Sequence, residues 1–145
     1  MTELKPVTAE NLEAVLRLRV REDQQGFVST AAESLAQAYV YSATAWPFAV
    51  CSDGETVGLI MMGYYEAKGY YTLWKLLIDR RYQGRGFGRQ ALALGIAFLK
   101  ERFRVTEICT GVSPGNAAAK ALYASMGFRP TGVAENGMEE LRLIC

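Results

Sequence analysis

The sequence predicts a single-domain fold of the α/β (α+β) class, with a central mixed, mostly antiparallel sheet of about seven strands and about four flanking helices. Three observations support this fold class. The chain has 145 residues, close to the usual length of one domain. Half of its residues are hydrophobic and 21% are charged, which excludes a mostly disordered chain. Strand and helix patterns follow one another in the order β, α, α, β, β, β, α, β, α, β, β, without an internal repeat or a linker.

The first third of the chain is predicted to form one strand and two helices. Residues 2–7 suit a short strand, with Pro6 either on a sheet edge or at a strand end, because Pro6 cannot donate a ladder hydrogen bond. Residues 11–18 carry apolar side chains at helical spacing. A second helix is expected to begin near Thr30, since Thr30 and Glu33 have the spacing of a capping box.

The middle of the chain is predicted to form an antiparallel meander of three strands. Residues 48–51, 56–65 and 70–78 are rich in β-branched and aromatic residues. The segments between them, residues 52–55 and 66–69, contain the glycine and polar residues that are typical of turns.

The remaining chain is predicted to contain two strand-and-helix units and a final hairpin. Their predicted parts are a Gly-rich turn at residues 83–88, helix 89–102, strand 107–112, helix 116–126, and strands 128–133 and 138–144. Gly127 is well suited to end the second of these helices. Asn136 and Gly137 form a dipeptide that strongly favours a tight hairpin turn.

The charge balance and the termini point to a soluble cytoplasmic protein. The chain has 16 Lys and Arg against 15 Asp and Glu, so its net charge is +1. We therefore expect neither a nucleic acid nor a membrane as a partner. The N-terminus lacks the layout of a signal peptide, and no apolar run is long enough to span a bilayer.

Cysteine and histidine usage excludes several kinds of site. The three cysteines, Cys51, Cys109 and Cys145, are odd in number and include no CxxC motif, so we expect free thiols. In a core strand Cys109 is expected to be an apolar filler. The chain has no histidine, which excludes Ser-His-Asp and Cys-His catalysis and His-ligated metals. We therefore expect no metal.

The Gly-rich segment from Gln83 to Arg89 predicts a phosphate site. Glycines let the backbone turn sharply, and the free N–H groups of the following helix attract an anion. Arg85 and Arg89 add positive charge. On the glycines alone, a plain connection remains an alternative. The P-loop pattern is absent, and the looser dinucleotide pattern from Gly86 lacks the acidic residue expected at the end of the next strand.

The helix of residues 116–126 carries the second candidate group. Asn116 and Tyr123 are seven residues apart and share one helix face, with alanines between them that allow a ligand to pass close by. A half-buried core aromatic is the alternative interpretation of Tyr123. If the strands before the two helices are parallel neighbours, both helix N-termini meet at one sheet edge. The cleft there would hold an elongated, phosphate-bearing ligand.

These segments resemble the GCN5-related N-acetyltransferase (GNAT) family. The matching residues are Gln83, Gly86 and Gly88 in the turn, Asn116, Ala119, Leu122 and Tyr123 in the helix, and Gly127 and Phe128 after it. The order of elements matches the family across nearly the whole chain. Residues 74–84 and the run from Phe27 to Tyr39 look most like the bacterial spermine/spermidine (diamine) acetyltransferases.

The resemblance implies an acetyl-CoA-dependent enzyme and assigns its residues. The turn amides of Gly84, Arg85, Gly86, Phe87, Gly88 and Arg89, preceded by Gln83, would hold the pyrophosphate. Backbone groups of Leu76, Leu77 and Ile78 would pair with the pantetheine arm and the acetyl carbonyl, and Asn116 would steady the arm. Tyr123 would protonate the leaving thiolate as the general acid.

The implied acceptor is a primary amine, either a polyamine or a similar small cation. Glu22, Asp23, Glu33 and Glu66 could attract it, although each also suits an ordinary surface charge. Where some polyamine acetyltransferases carry a carboxylate, this chain has Trp74 and Lys75. The general base therefore stays open, with Glu66, Glu22 or Asp23 acting through water as the candidates.

Several alternatives remain at the level of the sequence. The acceptor could be a protein N-terminus or lysine, an amino acid or an antibiotic, and the chain could instead be a non-catalytic acyl-CoA binding module. A cluster of tyrosines in the meander, Tyr64, Tyr65, Tyr70 and Tyr71, is expected to pack on the strand faces. A homodimer is a further expectation, with the edge of residues 138–144 as its contact.

Overall fold

The computed structural model describes residues 1–145 and contains seven strands, four α-helices and one 3₁₀ turn. Their order matches the predicted one. The elements are β1 (Thr2–Pro6), α1 (Leu12–Leu16), the 3₁₀ turn (Glu22–Gln24), α2 (Ala31–Val40), β2 (Ala45–Ser52), β3 (Glu55–Tyr65), β4 (Tyr70–Ile78), α3 (Phe87–Phe103), β5 (Glu107–Val112), α4 (Ala117–Ser125), β6 (Arg129–Glu135) and β7 (Met138–Ile144).

All seven strands lie in one sheet, in the order β1-β2-β3-β4-β5-β7-β6. Every neighbouring pair is antiparallel except β4 and β5, which are parallel. The predicted mixed, mostly antiparallel sheet is therefore confirmed. The strand β7 lies between β5 and β6, so the exposed edge of the final hairpin belongs to β6. The expectation of a free edge at residues 138–144 is wrong, because β5 already pairs with that strand.

Helices cover both faces of the sheet, and each face has its own apolar cluster. On one face, α3 and α4 pack against strand residues such as Ile60 and Leu73. On the other face, α1 and the start of α2 pack against Leu59 and Leu77. Consecutive residues such as Leu59 and Ile60 point to opposite faces of a strand. This explains why β3 is a continuous apolar run: both of its faces are buried.

Local signals predicted the helix ends well. The Thr30 side chain accepts a hydrogen bond of 3.1 Å from the backbone N–H of Glu33, and the Glu33 carboxylate accepts one of 3.0 Å from the Thr30 N–H, which confirms the capping box. Gly127, with φ of 102°, follows the end of α4. Asn136 and Gly137, both with positive φ, form the predicted two-residue turn between β6 and β7.

Two helix boundaries differ from prediction. The helix α1 ends at Leu16, not Leu18, because the backbone N–H of Arg19 donates to the Asp79 carboxylate at 3.0 Å and so leaves the helical path. The helix α3 begins at Phe87, two residues early, because Gly86 adopts φ of 86° and ends the turn sooner. No helix in the structure combines the length and apolar character that crossing a membrane requires.

Candidate active site

The sheet is split between β4 and β5. Only Thr72 and Cys109 pair across this boundary, although the two strands are neighbours. The last link is a hydrogen bond of 3.0 Å from the buried Thr110 hydroxyl to the Leu73 carbonyl oxygen. Beyond this point β4 has no ladder partner on the β5 side. The cleft predicted between two parallel strands is therefore present, and it exposes an unpaired strand edge.

A β-bulge lies on β4 beside the split. Met61 pairs with Lys75 and Met62 pairs with Leu73, so Trp74 is an extra residue without a partner on β3. A bulge bends its strand and increases the local twist. The bulge therefore bends β4 close to the point where this strand leaves β5.

The Gly-rich turn and the N-terminus of α3 lie at the open end of the split. Gly84 and Gly86 have φ of 78° and 86°, in the left-handed region that favours glycine. Gly86 is the N-cap of α3, and no side chain caps this helix. The first N–H groups of a 17-residue helix are thus free to bind an anion, with the positive end of the helix dipole behind them.

A cavity of about 250 Å³, the turn-side cavity, connects this turn with the open edge of β4. Ten of the predicted binding or catalytic residues line it: Leu76, Leu77, Ile78, Gln83, Gly84, Gly86, Phe87, Gly88, Asn116 and Tyr123. The loop between α1 and α2 contributes four more residues, Val20, Gln24, Phe27 and Val28. Sequence reasoning missed these four as site residues. Their signals were the apolar pair of Phe27 and Val28 in a polar loop and the family resemblance of the run that begins at Phe27.

Tyr123 is a nearly buried residue of the turn-side cavity. It is 8% exposed, it packs against Phe128, and it lines the cavity from α4. Burial raises the pKa of Tyr123 to about 12. The phenol is therefore protonated at neutral pH, as a proton donor must be.

Asn116 holds the N-terminus of α4 and faces the same cavity. Its side-chain oxygen accepts a hydrogen bond of 3.3 Å from the backbone N–H of Ala119. The amide nitrogen of Asn116 remains available as a donor. The residue is thus an N-cap and a cavity residue at once.

Gln83 ties three segments together. Its Nε2 donates to the carbonyl oxygen of Ile78 at 2.9 Å and to Oε1 of Gln24 at 2.8 Å. One side chain therefore connects the end of β4, the turn and the 3₁₀ segment that flanks the cavity. The Gln83 side chain is thus occupied in holding these segments together.

The two predicted basic residues of the turn lie outside the turn-side cavity. The Arg85 guanidinium lies over the Tyr82 ring, 5.7 Å from its centroid. The Arg89 guanidinium donates to the Ser125 hydroxyl at 2.7 Å. Both side chains are exposed next to the turn, where they add positive charge without lining the cavity.

Two further cavities lie next to the turn-side cavity. The middle cavity, of about 120 Å³, has six lining residues in common with it, among them Leu76, Asn116 and Tyr123. The tyrosine-lined cavity, of about 720 Å³, has five in common with the middle one, among them Trp74 and Lys75. The three cavities are therefore neighbours in a row, and Tyr123 lines the first two of them.

The tyrosines of the meander have two roles. Tyr64, Tyr65 and Tyr70 line the tyrosine-lined cavity. Tyr71 packs against Trp46 and Phe103, as expected for a strand-face residue. The packing prediction is confirmed for all four, since Tyr64 also contacts Tyr71 and Tyr65 contacts Tyr70, with ring centroids 4.9 and 5.7 Å apart. It did not include the cavity that Tyr64, Tyr65 and Tyr70 line together with Gln37 and Tyr41.

The four predicted acidic residues do not converge. Glu66 lines the tyrosine-lined cavity. Glu33 is exposed and engaged in the capping box of α2, and Asp23 pairs with Arg21 at 3.4 Å. Glu22 is exposed on the 3₁₀ turn. Of these four carboxylates, only Glu66 lines one of the three cavities.

Cys109 behaves as the predicted apolar filler. It is buried beside the last point of contact between β4 and β5. Burial raises the pKa of its thiol to about 11, so the thiol stays neutral and is a poor nucleophile.

The divided sheet, the glycine turn at a helix N-terminus and the buried tyrosine are the features that the sequence motifs led us to expect of an acetyltransferase. The family model of the acetyltransferase (GNAT) family matches residues 12–128. The chain belongs to this family, as the motifs of the turn and of α4 predicted. The dinucleotide-binding alternative is thereby excluded as a fold, because β4 belongs to an antiparallel meander.

More particularly, the chain is 28% identical over 138 residues to the spermine/spermidine N(1)-acetyltransferase of Bacillus subtilis, covering 89% of this chain and 88% of that protein. The crystal structure of an acetyltransferase from Thermus thermophilus superposes with a TM-score of 0.76 at 26% identity, covering 100% of this chain and 97% of the other. The PaiA N-acetyltransferase from Thermoplasma acidophilum, solved with coenzyme A, shares the fold with a TM-score of 0.76 at 15% identity, covering 100% and 99%.

Proposed function

We propose that this chain transfers the acetyl group of acetyl-CoA to a primary amine of a small molecule, within the row of cavities beside the split in the sheet. One observation carries the proposal: each cavity shares lining residues with the next, and Tyr123 lines both the turn-side and the middle cavity. Acetyl-CoA would enter from the turn side and the amine from the tyrosine-lined side. The two reactants would then meet beside a buried proton donor.

The residues on the turn side fit acetyl-CoA. The uncapped N-terminus of α3 and the turn at Gly84 and Gly86 suit a pyrophosphate. The open edge of β4 offers backbone N–H and C=O groups to the amide groups of the pantetheine arm. The apolar side chains that line the cavity suit the methylene groups of that arm. PaiA, which shares this fold, was solved with coenzyme A.

Acetyl-CoA supplies an acetyl group activated as a thioester. The chain would supply orientation, carbonyl polarisation by β4 amides, and proton handling. The neutral amine nitrogen forms the new C–N bond as the C–S bond breaks. The Tyr123 hydroxyl gives its proton to the departing sulfur, and the proton that the amine loses passes to water.

The acceptor side has few groups that could remove a proton. The middle cavity is lined by neither a carboxylate nor a histidine. Of the three candidate bases, Glu66 alone lines the tyrosine-lined cavity, where it could act through water. Glu66 is thus the candidate that the geometry favours.

A polyamine acceptor stays a prediction. The spermine/spermidine specificity of the B. subtilis relative supports it, and so do Glu66 and the tyrosine rings, since aromatic faces attract cations. The other three acidic residues, Glu22, Asp23 and Glu33, line none of the cavities and do not support a polyamine acceptor.

The test is CoA release from acetyl-CoA with a panel of amines: spermidine, spermine, putrescine, amino acids, an aminoglycoside and a peptide. We expect turnover with small primary amines and its loss in Tyr123→Phe by about 100-fold or more, with acetyl-CoA affinity retained. Unchanged turnover in Tyr123→Phe would contradict the role of Tyr123. No turnover with any amine, despite tight acetyl-CoA binding, would favour the non-catalytic module.

A further inference from the structure

Lys75 places a positive charge at the boundary between the middle and tyrosine-lined cavities. Its side chain is half-buried and lines both cavities, but not the turn-side cavity. Its charge is therefore directed at the acceptor and not at the phosphates of acetyl-CoA.

The Lys75 ammonium has no carboxylate partner within the chain. Its hydrogen bond goes to the Ser29 hydroxyl, at 2.7 Å, and no Asp or Glu oxygen lies within the 4 Å of an ion pair. The charge of Glu33 acts on Lys75 from beyond ion-pair distance, and the Glu33 carboxylate accepts from the Thr30 backbone N–H. By contrast, Lys68 in the turn between β3 and β4 pairs with both Glu135 and Glu140.

The burial of this ammonium has an energetic consequence. Burial lowers the pKa of Lys75, and the more distant charge of Glu33 only partly opposes this effect. A half-buried charge is costly unless an opposite charge accompanies it. A bound anion would provide the missing counter-charge.

We infer that the acceptor carries a carboxylate next to its primary amine, and that the Lys75 ammonium binds this carboxylate. The inference rests on the proposed function and narrows its substrate class to amino acids, including diamino acids. It stands in place of the polyamine prediction, and the experiment below decides between the two. A lysine bears one compact charge, which suits a single carboxylate. The side chain of the amino acid would extend into the tyrosine-lined cavity, where Tyr64, Tyr70 and Trp74 offer aromatic surface.

Lys75 also disfavours a substrate that carries only positive charge. A polyamine would have to bring an ammonium past Lys75 to reach the middle cavity, and like charges in a partly desolvated site repel. One residue would thus favour amino acids and reject the corresponding diamines.

The experiment compares substrates that differ by one carboxylate: ornithine with putrescine, lysine with cadaverine, and 2,4-diaminobutyrate with 1,3-diaminopropane. Spermidine is measured beside them. CoA release gives kcat/KM for each substrate with the unmodified protein, Lys75→Met, Lys75→Arg and the control Lys100→Met. Lys100 is exposed on the last turn of α3 and lines none of the three cavities. The ratio of the two kcat/KM values within a pair does not depend on how much of a protein preparation is active.

We expect the unmodified protein to prefer an amino acid to its diamine by about 10-fold or more. Lys75→Met should lower that ratio by about 10-fold. The change should appear mainly as a higher KM for the amino acid, because the lost contact binds the carboxylate equally in the ground state and the transition state. Lys75→Arg should keep most of the preference, and Lys100→Met all of it.

Two results would overturn the inference alone: faster turnover of spermidine or the diamines than of any amino acid, or an unchanged ratio in Lys75→Met. If no amine releases CoA although acetyl-CoA binds, the proposed function fails and the inference fails with it.

Discussion

The carboxylate of Asp79 accepts a hydrogen bond of 3.0 Å from the backbone N–H of Arg19, a residue 60 positions earlier in the chain. Asp79 is 2% exposed and follows the end of β4. It also accepts from the backbone N–H and the guanidinium of Arg81, at 3.0 and 2.8 Å. The Arg80 N–H donates to the Arg19 carbonyl oxygen at 2.7 Å. These bonds fasten the loop after α1, which includes Val20 of the turn-side cavity, to the end of β4.

The Asp79→Asn substitution should therefore destabilise the fold. It keeps the shape of the side chain but replaces a charged acceptor of three hydrogen bonds, so we expect a loss of roughly 2 kcal/mol in the free energy of unfolding. Urea unfolding of both proteins measures this loss in the free energy of unfolding. Asp53→Asn is the matched control, because Asp53 is exposed and pairs only with the N-terminus. Equal effects of the two substitutions would contradict the role of Asp79.

The same carboxylate predicts how stability depends on pH. Burial by itself would raise the pKa of Asp79, but the hydrogen bonds from Arg81 and Arg19 together lower it below the ordinary value. A lowered pKa in the folded state adds stability above the unfolded pKa of about 3.9, which is lost as pH falls through the folded value. We expect the unmodified protein to lose more stability than Asp79→Asn between about pH 5 and the acid limit. Parallel pH–stability curves would contradict this.

The conformation of Gly86 predicts a loss of acetyl-CoA affinity in Gly86→Ala. At φ of 86° a side chain is strained, so the turn must shift away from the N-terminus of α3. We expect acetyl-CoA binding, measured by calorimetry, to weaken by about 10-fold, an effect near 1.4 kcal/mol. Gly26→Ala is the control, because Gly26 has no positive φ and open space around its Cβ position. Unaltered affinity in Gly86→Ala would count against the turn as a phosphate site.

The raised pKa of Tyr123 predicts the alkaline side of the rate profile. A tyrosine with the ordinary pKa near 10 would lose its proton, and its role as an acid, within the accessible range. Because burial raises the pKa of Tyr123 to about 12, kcat should not decline up to about pH 10. A descending limb near pH 9–10 that is absent in Tyr123→Phe would show that burial does not protect this proton. Denaturation is monitored by circular dichroism at each pH.

Local features of the chain were predictable because short-range interactions determine them. The capping box of Thr30 and Glu33, the Asn136-Gly137 turn and the glycines before α3 each depend on a few adjacent residues. The end of α1 was not predictable in this way, because a carboxylate from the distant Asp79 redirects the chain at Arg19.

The candidate site likewise has a part that local motifs predicted and a part that they did not. The turn from Gln83 to Gly88, Asn116 and Tyr123 carry their signals in motifs of adjacent residues, and the sequence by itself determined their place at the ends of predicted strands and helices. Only the tertiary structure decided which distant groups join them. It brought the loop of Val20 and Phe27 over the cavity, separated the four acidic residues, and left Lys75 without a carboxylate partner. Such convergence depends on packing between segments far apart in the chain, which spacing along one segment does not specify.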